Sequence, residues 1–192
     1  AKILSTAKLD PTIINGGVIN SLNSNAKFGK GEWAVLEADE SDGSFLKLPI
    51  NYSVVTNIDN EHLDFYKNFK NLKDFFIKFI NKTPPIGKAI VCIDNTNVKK
   101  VLREVMTKNI LTYGFDKIAD YQIVKTKYRP ENTQFDIKIK NNNFKKTQIK
   151  NIILNLIGKH NVLNATAGIA ICLNLGVDIK TIKKALKFFS GV

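Results

Sequence analysis

Hydrophobic residues along the chain fall into short compact runs and into longer stretches with helical spacing. The compact apolar runs occupy residues 33–38, 53–58, 88–93 and 110–115. Runs of this kind are typical of parallel strands buried on both faces. Residues 69–80 and 94–108 instead carry apolar side chains three and four positions apart, as in amphipathic helices, and Asp94 is the predicted cap of the second. Strands that alternate with helices predict a parallel sheet with right-handed crossovers.

The first thirty residues predict a helix end, a strand and a loop. Residues 1–9 have the pattern of the last turns of a helix. The Asp-Pro pair that follows ends this helix, because a residue before proline is pushed out of the helical region. A short strand is predicted over residues 12–15 and is stopped by two glycines, and the polar residues 20–30 predict a loop.

The pattern changes in the second half of the chain. Apolar and polar residues alternate there, which predicts antiparallel strands with a turn at 141–143. These strands are predicted over residues 121–128, 134–140 and 144–156. Two helices then close the chain, one over 160–175 that ends at Gly176 and one over 178–189 that is capped by Asp178.

Together these elements predict one α/β domain whose mostly parallel sheet is flanked by helices and carries a small antiparallel annex. We expect the parallel part in residues 1–118, the annex in residues 119–157 and the closing helices in residues 158–192.

The net charge of +12 suggests a nucleic-acid partner, but the types of basic residue that supply the charge oppose this interpretation. Arginine makes the bidentate contacts to phosphate and guanine, and the arginines here are Arg103 and Arg129. The lysines are spread along the chain, so we expect no nucleic-acid partner.

The sequence also has no apolar run of bilayer length and no clear signal peptide, which favours a cytoplasmic protein without a membrane partner. Cys92 and Cys172 lie among apolar residues and are expected to be buried, reduced thiols.

A first cluster of acids lies at the end of the strand predicted over 33–38. Its members are Glu37, Asp39, Glu40 and Asp42. Ligands of open α/β sheets bind beyond the carboxyl ends of strands, and carboxylate oxygens suit a hard cation such as Mg²⁺. A solvated acidic loop is the alternative. Because four of the 17 acids of a basic chain are gathered here, the cluster favours metal or phosphate chemistry.

A second cluster lies within the sequence TNIDNEHLD at residues 56–64, beyond the next predicted strand. It contains His62, one of 2 histidines in the chain. Three roles stay open for this side chain: a metal ligand, a general base or a surface residue paired with neighbouring acids. Its position beyond a strand, like that of the first cluster, favours a functional role.

A third cluster opens the helix predicted over 160–175. Its sequence is GKHNVLNA, with His160, Asn161 and Asn164 in the first turns. Helix N-termini present free N–H groups and a positive dipole. The asparagines either cap the helix or read an adenine edge, since an amide offers a donor and an acceptor side by side.

The three stretches ADESD, TNIDNEHLD and GKHNVLNA, in this order, resemble the central ATP-binding domain of the Mur ligases of peptidoglycan synthesis. The resemblance spans almost the whole chain and implies a P-loop NTPase-like fold. Muropeptide-recycling ligases and folylpolyglutamate synthetases share the overall order. The stretch ESDGSFLKL at residues 40–48 is most similar to the members that add L-alanine.

The resemblance implies a bacterial cytoplasmic ligase that uses ATP and Mg²⁺ to join L-alanine to UDP-N-acetylmuramate through an acyl phosphate. Glu37 and His62 would then be the catalytic metal ligands, Glu37 for the Mg²⁺ that bridges the ATP phosphates and His62 for a second Mg²⁺. The residues at the adenine and ribose would be His160, Asn161 and Asn164. Further acids expected beside the metal or the substrate are Asp39, Asp42 and Asp64.

The sequence also departs from the family pattern. The family's phosphate-binding loop has the form GTHGKT, and neither Gly-Lys-Thr nor Gly-Lys-Ser occurs here. The chain resembles the central domain from just past that loop, without the N-terminal and C-terminal domains. We therefore expect a fragment that has no ligase activity by itself, with an open sheet edge that lowers stability or causes self-association.

Three alternatives stay open at this point. One is a muropeptide-recycling ligase of the same family. The second is a basic module that binds nucleic acid, and the third is a short protein that uses the fold as a scaffold.

Overall fold

A computed structural model describes residues 1–20, 22–140 and 147–191. By its contacts the chain divides into two compact units. The first unit comprises Ala1–Glu37 and Ile123–Val192, and the second comprises Ala38–Gln122. The division predicted above, at residues 118 and 157, concerns sequence pattern and stays a prediction.

The strands form two sheets. They are β1 (Thr12–Ile19), β2 (Ser24–Lys27), β3 (Ala34–Leu36), β4 (Tyr52–Val55), β5 (Lys88–Cys92), β6 (Ile110–Gly114), β7 (Tyr121–Tyr128), β8 (Thr133–Ile139) and β9 (Gln148–Leu154). Their order is β2-β1-β3 in the smaller sheet and β4-β5-β6-β7-β8-β9 in the larger one. The larger sheet is flanked by helices and is parallel from β4 to β7, so the predicted α/β class is confirmed.

The helices occupy most of the connections. They are α1 (Lys2–Thr6), α2 (Leu63–Tyr66), α3 (Phe69–Asn81), α4 (Thr96–Leu102), α5 (Lys159–Asn174) and α6 (Ile179–Lys187), and a short 3-10 helix covers Ser44–Lys47. Among the helices that the structure describes, none combines the length and the hydropathy needed to cross a bilayer.

The second unit is built on the parallel strands β4, β5 and β6. Residues 89–92 of β5 are buried, because this strand has a parallel neighbour on each side. The apolar face of α3 packs into the core of this unit through Leu72, Phe76 and Ile80. The spacing that predicted a helix over 69–80 is therefore the spacing of its buried face.

The first unit contains the smaller sheet and the antiparallel pair. Strand β1 pairs antiparallel with β2 and parallel with β3, and β8 pairs antiparallel with β9. The antiparallel part of the predicted annex is thus confirmed in the β8–β9 pair. Strand β7, predicted as a further antiparallel strand, instead pairs parallel with β6. Helix α1 packs against α5 and α6. The predicted turn at 141–143 and the first three residues of the strand predicted from 144 lie outside the described residues.

The first strands differ from the prediction in burial and length. Val54 on β4 is 36% exposed and Ala34 on β3 is exposed, so these strands are not buried on both faces. Among the described residues β3 pairs with β1 alone and β4 with β5 alone. The two glycines do not stop β1, which continues to Ile19, and the predicted polar loop contains β2. Low stability or self-association through an open edge stays a prediction.

The cap of α4 also differs from the prediction. Asn95, and not Asp94, caps this helix, because its side-chain oxygen accepts the backbone N–H groups of Asn97 and Val98. The carboxylate of Asp94 instead accepts the N–H groups of Phe115 and Asp116. The helix is also shorter than predicted and ends at Leu102.

The two closing helices begin and end nearly as predicted. Gly176 follows α5 at φ 79°, a left-handed conformation that glycine adopts without a steric penalty. Asp178 caps α6, and its carboxylate accepts the N–H of Thr181 at 2.9 Å.

Candidate active site

The acidic loop that follows β3 is shaped by two of its own carboxylates. Asp39 accepts the backbone N–H of Ser41 at 2.8 Å, and Asp42 accepts the N–H of Ser44 at 2.9 Å. The first bond holds the pKa of Asp39 below its ordinary value. Hydrogen bonds from Ser44, from its side chain first and its backbone second, lower the pKa of Asp42. Asp39 and Asp42 therefore stay ionised at neutral pH and fold the loop.

Gly43 lets this loop turn into the 3-10 helix. Its φ is 70°, and a Cβ at this position would lie 2.7 Å from a ring carbon of Phe75. Both the conformation and the close approach require glycine here. The loop is therefore fixed against the aromatic side chains beneath it, and it presents the remaining acid, Glu40, to its neighbours.

His62 directly precedes α2, at the end of the segment that follows β4. It occupies the left-handed region at φ 56° and ψ 33°, which is uncommon for a residue with a side chain. Such strain is often found at functional positions. The Nε2 atom of His62 lies 3.6 Å from Oε1 of Glu40 and 4.0 Å from Oε2 of Glu61.

Glu40, Glu61 and His62 form the group that fits a divalent cation. Within the described residues, one potential ligand atom from each of the three lies within 4.8 Å of the other two. Two carboxylates and one imidazole are donors that divalent metals accept. The same side chains line a cavity with Thr56 and Asn57. The residues present therefore fit a cation at this place.

Sequence reasoning selected His62 but missed Glu40 and Glu61 as its neighbours. Both acids were visible in the two clusters, and the signal that singles them out is geometric. The carboxylates of Asp39 and Asp42 accept hydrogen bonds from the loop backbone, whereas the carboxylate of Glu40 lies 3.6 Å from the imidazole of His62. Alternation of roles along a short acidic run cannot be read from composition.

Asp64 belongs to the first turn of α2 and is exposed. Its backbone carbonyl accepts the Nζ–H of Lys67 at 3.0 Å. Its side chain is not part of the group formed by Glu40, Glu61 and His62. A role for Asp64 beside a metal or substrate stays a prediction.

Glu37, in the first unit, lies directly after β3 and is held on both its backbone and its side chain. Its N–H donates to the carbonyl of Ile14 at 2.9 Å. Its Oε2 accepts the N–H of Gly16 at 2.5 Å, a short bond of the charge-assisted kind. A Cβ on Gly16 would lie 3.1 Å from that oxygen, so a small residue suits this contact. The second carboxylate oxygen of Glu37 has no hydrogen bond to the backbone of β1 and is the atom that a cation could use.

The start of α5 contradicts a cap role for its asparagines, whereas their role at an adenine edge stays a prediction. Gly158 is the N-cap, at φ 113°, and no side chain caps this helix. The amide of Asn161 instead donates backwards to the carbonyl of Ile157 at 2.9 Å. His160 and Asn164 are exposed. The asparagines therefore do not cap α5, and the carbonyl oxygen of Asn161 faces no competing bond from the helix N–H groups.

The two cysteines are free and buried, as the sequence predicted. Burial raises the pKa of the Cys92 thiol and raises that of Cys172 to about 11. A thiol that stays protonated is a poor nucleophile, so neither cysteine belongs to the candidate site.

Comparison with known proteins finds a family match over most of the chain. Residues 7–172 match the family described as the Mur ligase middle domain. A protein of Pelagibacter ubique named UDP-N-acetylmuramate–L-alanine ligase is 50% identical over 192 residues, which are 100% of this chain and 41% of that protein. A protein of Brucella anthropi with the same name is 43% identical over the same shares of both chains. The chain thus spans about two fifths of the length of these relatives.

A solved structure shows the same fold. The UDP-N-acetylmuramate-alanine ligase of Thermotoga maritima superposes with a TM-score of 0.83 at 26% identity. The match covers 100% of this chain and 41% of the Thermotoga chain.

The loop carboxylates predict a specific pH dependence. Their folded pKa values lie below the unfolded value of about 3.9. The loop's contribution to stability is therefore fully present above that pH and is lost as the pH falls through the lower folded values. We expect the amide-proton signals of Ser41 and Ser44 to stay constant from neutral pH down to about pH 4 and to shift upfield only below it.

Asp39→Asn and Asp42→Asn are the matched controls for this titration. Each should abolish the transition of its own partner, Ser41 or Ser44, and leave the other in place. Transitions of both serines above pH 5 in the unmodified chain would contradict the assignment.

Proposed function

The chain belongs to the Mur ligase family, and from this membership we propose that it is the core of the middle domain of an ATP-dependent ligase that joins L-alanine to UDP-N-acetylmuramate. The observation that carries the proposal is identity of 50% and 43% over the whole chain with ligases of that name. The activity, its substrates and its role in peptidoglycan synthesis belong to the longer protein that contains this chain. A bacterial cytoplasmic location is part of the same proposal.

The proposed reaction has two steps. The terminal phosphoryl group of ATP passes to the muramate carboxylate, giving an acyl phosphate and ADP. The amino group of L-alanine then attacks the acyl carbon, an amide bond forms, and inorganic phosphate leaves. Phosphoryl transfer of this kind depends on positioning and on neutralising charge more than on covalent chemistry of the protein.

His62 is the residue we propose for the cation next to the acyl phosphate. Support comes from the convergence of its imidazole with Glu40 and Glu61 in the second unit. A divalent cation bound there would supply positive charge for the phosphoryl oxygens. The family resemblance names Mg²⁺ as this cation, and the carboxylate oxygens of Glu40 and Glu61 suit it.

Glu37 is the residue we propose as a ligand of the divalent cation that would accompany the phosphates of ATP. Support comes from its fixed side chain at the end of β3, where Gly16 binds one carboxylate oxygen and leaves the other available. The chain carries no Gly-Lys-Thr or Gly-Lys-Ser sequence, so the lysine and hydroxyl of a phosphate-binding loop would come from elsewhere in the longer protein.

The first turns of α5 are the proposed adenine and ribose site. His160 and Asn164 are exposed there, and the helix N-terminus has no side-chain cap. The bond from Asn161 to the carbonyl of Ile157 fixes the orientation of its amide, so that the amide oxygen can accept the exocyclic amino group of an adenine.

Nucleotide binding tests these roles directly. We expect Glu37→Ala and Asn161→Ala each to weaken the binding of Mg²⁺-ADP to this chain about tenfold, because one charge contact or one paired amide contact is lost. Isothermal titration calorimetry of the purified chain measures the change.

Glu32→Ala and Asn155→Ala are matched controls, since both remove an exposed side chain of the same type in the same unit. Their affinities should equal that of the unmodified chain. Equal affinities in all five proteins would contradict the assignment of Glu37 and Asn161.

Catalysis by the 192 residues alone is not expected. Each preorganised donor to a developing negative charge contributes about 10²–10³ in rate, and a phosphate-binding loop supplies several of them. A phosphate-release assay with ATP, Mg²⁺, UDP-N-acetylmuramate and L-alanine should give the background rate. Release that depends on L-alanine would contradict this prediction.

A further inference from the structure

We propose that Tyr66 is a positioning residue for the divalent-cation site, because its hydroxyl holds the acidic loop in the place where Glu40 meets His62. This inference rests on the cation role proposed above. It assigns a function to a residue that makes no contact of its own with a cation or a substrate.

The hydroxyl of Tyr66 donates a hydrogen bond to the backbone carbonyl of Glu40. The same carbonyl also accepts the N–H of Gly43 at 3.2 Å, which closes the turn of the acidic loop. The side chain of Glu40 leaves this anchored peptide and reaches within 3.6 Å of Nε2 of His62. Tyr66 therefore fixes the backbone position from which the side chain of Glu40 extends.

Tyr66 is also tied to His62 through the backbone. It is the last residue of α2, the single turn that begins after His62. The N–H of Tyr66 donates to the carbonyl of His62 at 3.1 Å. One residue thus bonds to the loop that carries Glu40 and to the residue that carries the imidazole.

The ring of Tyr66 is fixed by its neighbours. The residue is 2% exposed, and its ring makes edge contacts with Phe65 and Phe75 at centroid distances of 4.8 and 5.0 Å. Asn71 donates its side-chain amide to the carbonyl of Tyr66 at 2.8 Å. Because the ring is buried and its backbone is bonded on both sides, the hydroxyl is held against the carbonyl of Glu40.

The electrostatics agree with this geometry. Burial raises the pKa of the Tyr66 hydroxyl, and the nearby charges of Glu40, Asp42 and Asp39 raise it further. The hydroxyl therefore stays a hydrogen-bond donor over the whole working pH range. It neutralises none of the acids, so their charge remains available to a cation.

Mn²⁺ and the ring of His62 provide the test. Mn²⁺ is paramagnetic and broadens the NMR signals of nearby nuclei, so the ring signals of His62 report on the site. We expect these signals to broaden at a lower Mn²⁺ concentration in the unmodified chain than in Glu40→Gln, which removes the charge of one proposed ligand. Tyr66→Phe removes only the hydroxyl and should raise the Mn²⁺ concentration needed at His62 about tenfold, the usual loss when a partner behind a metal ligand is removed.

Tyr113→Phe is the matched control. Tyr113 is buried in the same unit, and its hydroxyl pairs with the thiol of Cys92 on β5 and not with the acidic loop. In this variant the ring signals of His62 should broaden at the same Mn²⁺ concentration as in the unmodified chain. An equal response in Tyr66→Phe and Tyr113→Phe would overturn the positioning role. Equal broadening of His62 in the unmodified chain and in Glu40→Gln would overturn the cation role as well.

A second measurement needs no variant and stays valid if Tyr66→Phe does not fold. Titration of the unmodified chain with Mg²⁺ should shift the ring signals of Tyr66 together with those of His62, and leave those of Tyr113 in place. A shift of His62 without any shift of Tyr66 would show that the tyrosine is not coupled to the site and would overturn the inference.

Discussion

The cation site depends on how the chain turns at His62. A left-handed backbone at a residue with a side chain costs of order 1–3 kcal/mol, and the surrounding contacts must hold it. The turn starts α2 immediately after His62. Tyr66, the last residue of this helix, is thereby brought to the acidic loop, where its hydroxyl donates to the carbonyl of Glu40. One backbone conformation thus places the imidazole and, through a buried ring, one of the carboxylates beside it.

The acids around this turn have different physical roles. Asp39 and Asp42 accept hydrogen bonds from backbone N–H groups two residues ahead, so these carboxylates stabilise the shape of the loop. Glu40 and Glu61 have no such bond to the loop and face His62. In the other unit, Glu37 gives one carboxylate oxygen to Gly16 and keeps the second. The division explains how a short acidic run both folds itself and leaves ligands for a cation.

The sequence was a good guide to regular elements and a poor guide to local roles. Helix α3 was predictable because its buried residues recur at helical spacing, and β5 because it is apolar from Ala89 to Cys92. Strand β2 was not predictable, since its residues Ser24–Lys27 have no apolar pattern and are held by backbone bonds to β1. The partners of His62 were hidden for a related reason: the choice between neighbouring acids is made by loop geometry, which composition does not record.

A divalent cation is proposed to bind at His62, between Glu40 and Glu61. Crystals of the chain soaked in Mn²⁺ and measured near the manganese absorption edge test it most directly, because anomalous scattering locates the metal without assuming its ligands. We expect a peak within coordination distance of the His62 imidazole and of both carboxylates. A peak elsewhere in the unit, or none at these three side chains in a well-ordered crystal, would contradict it.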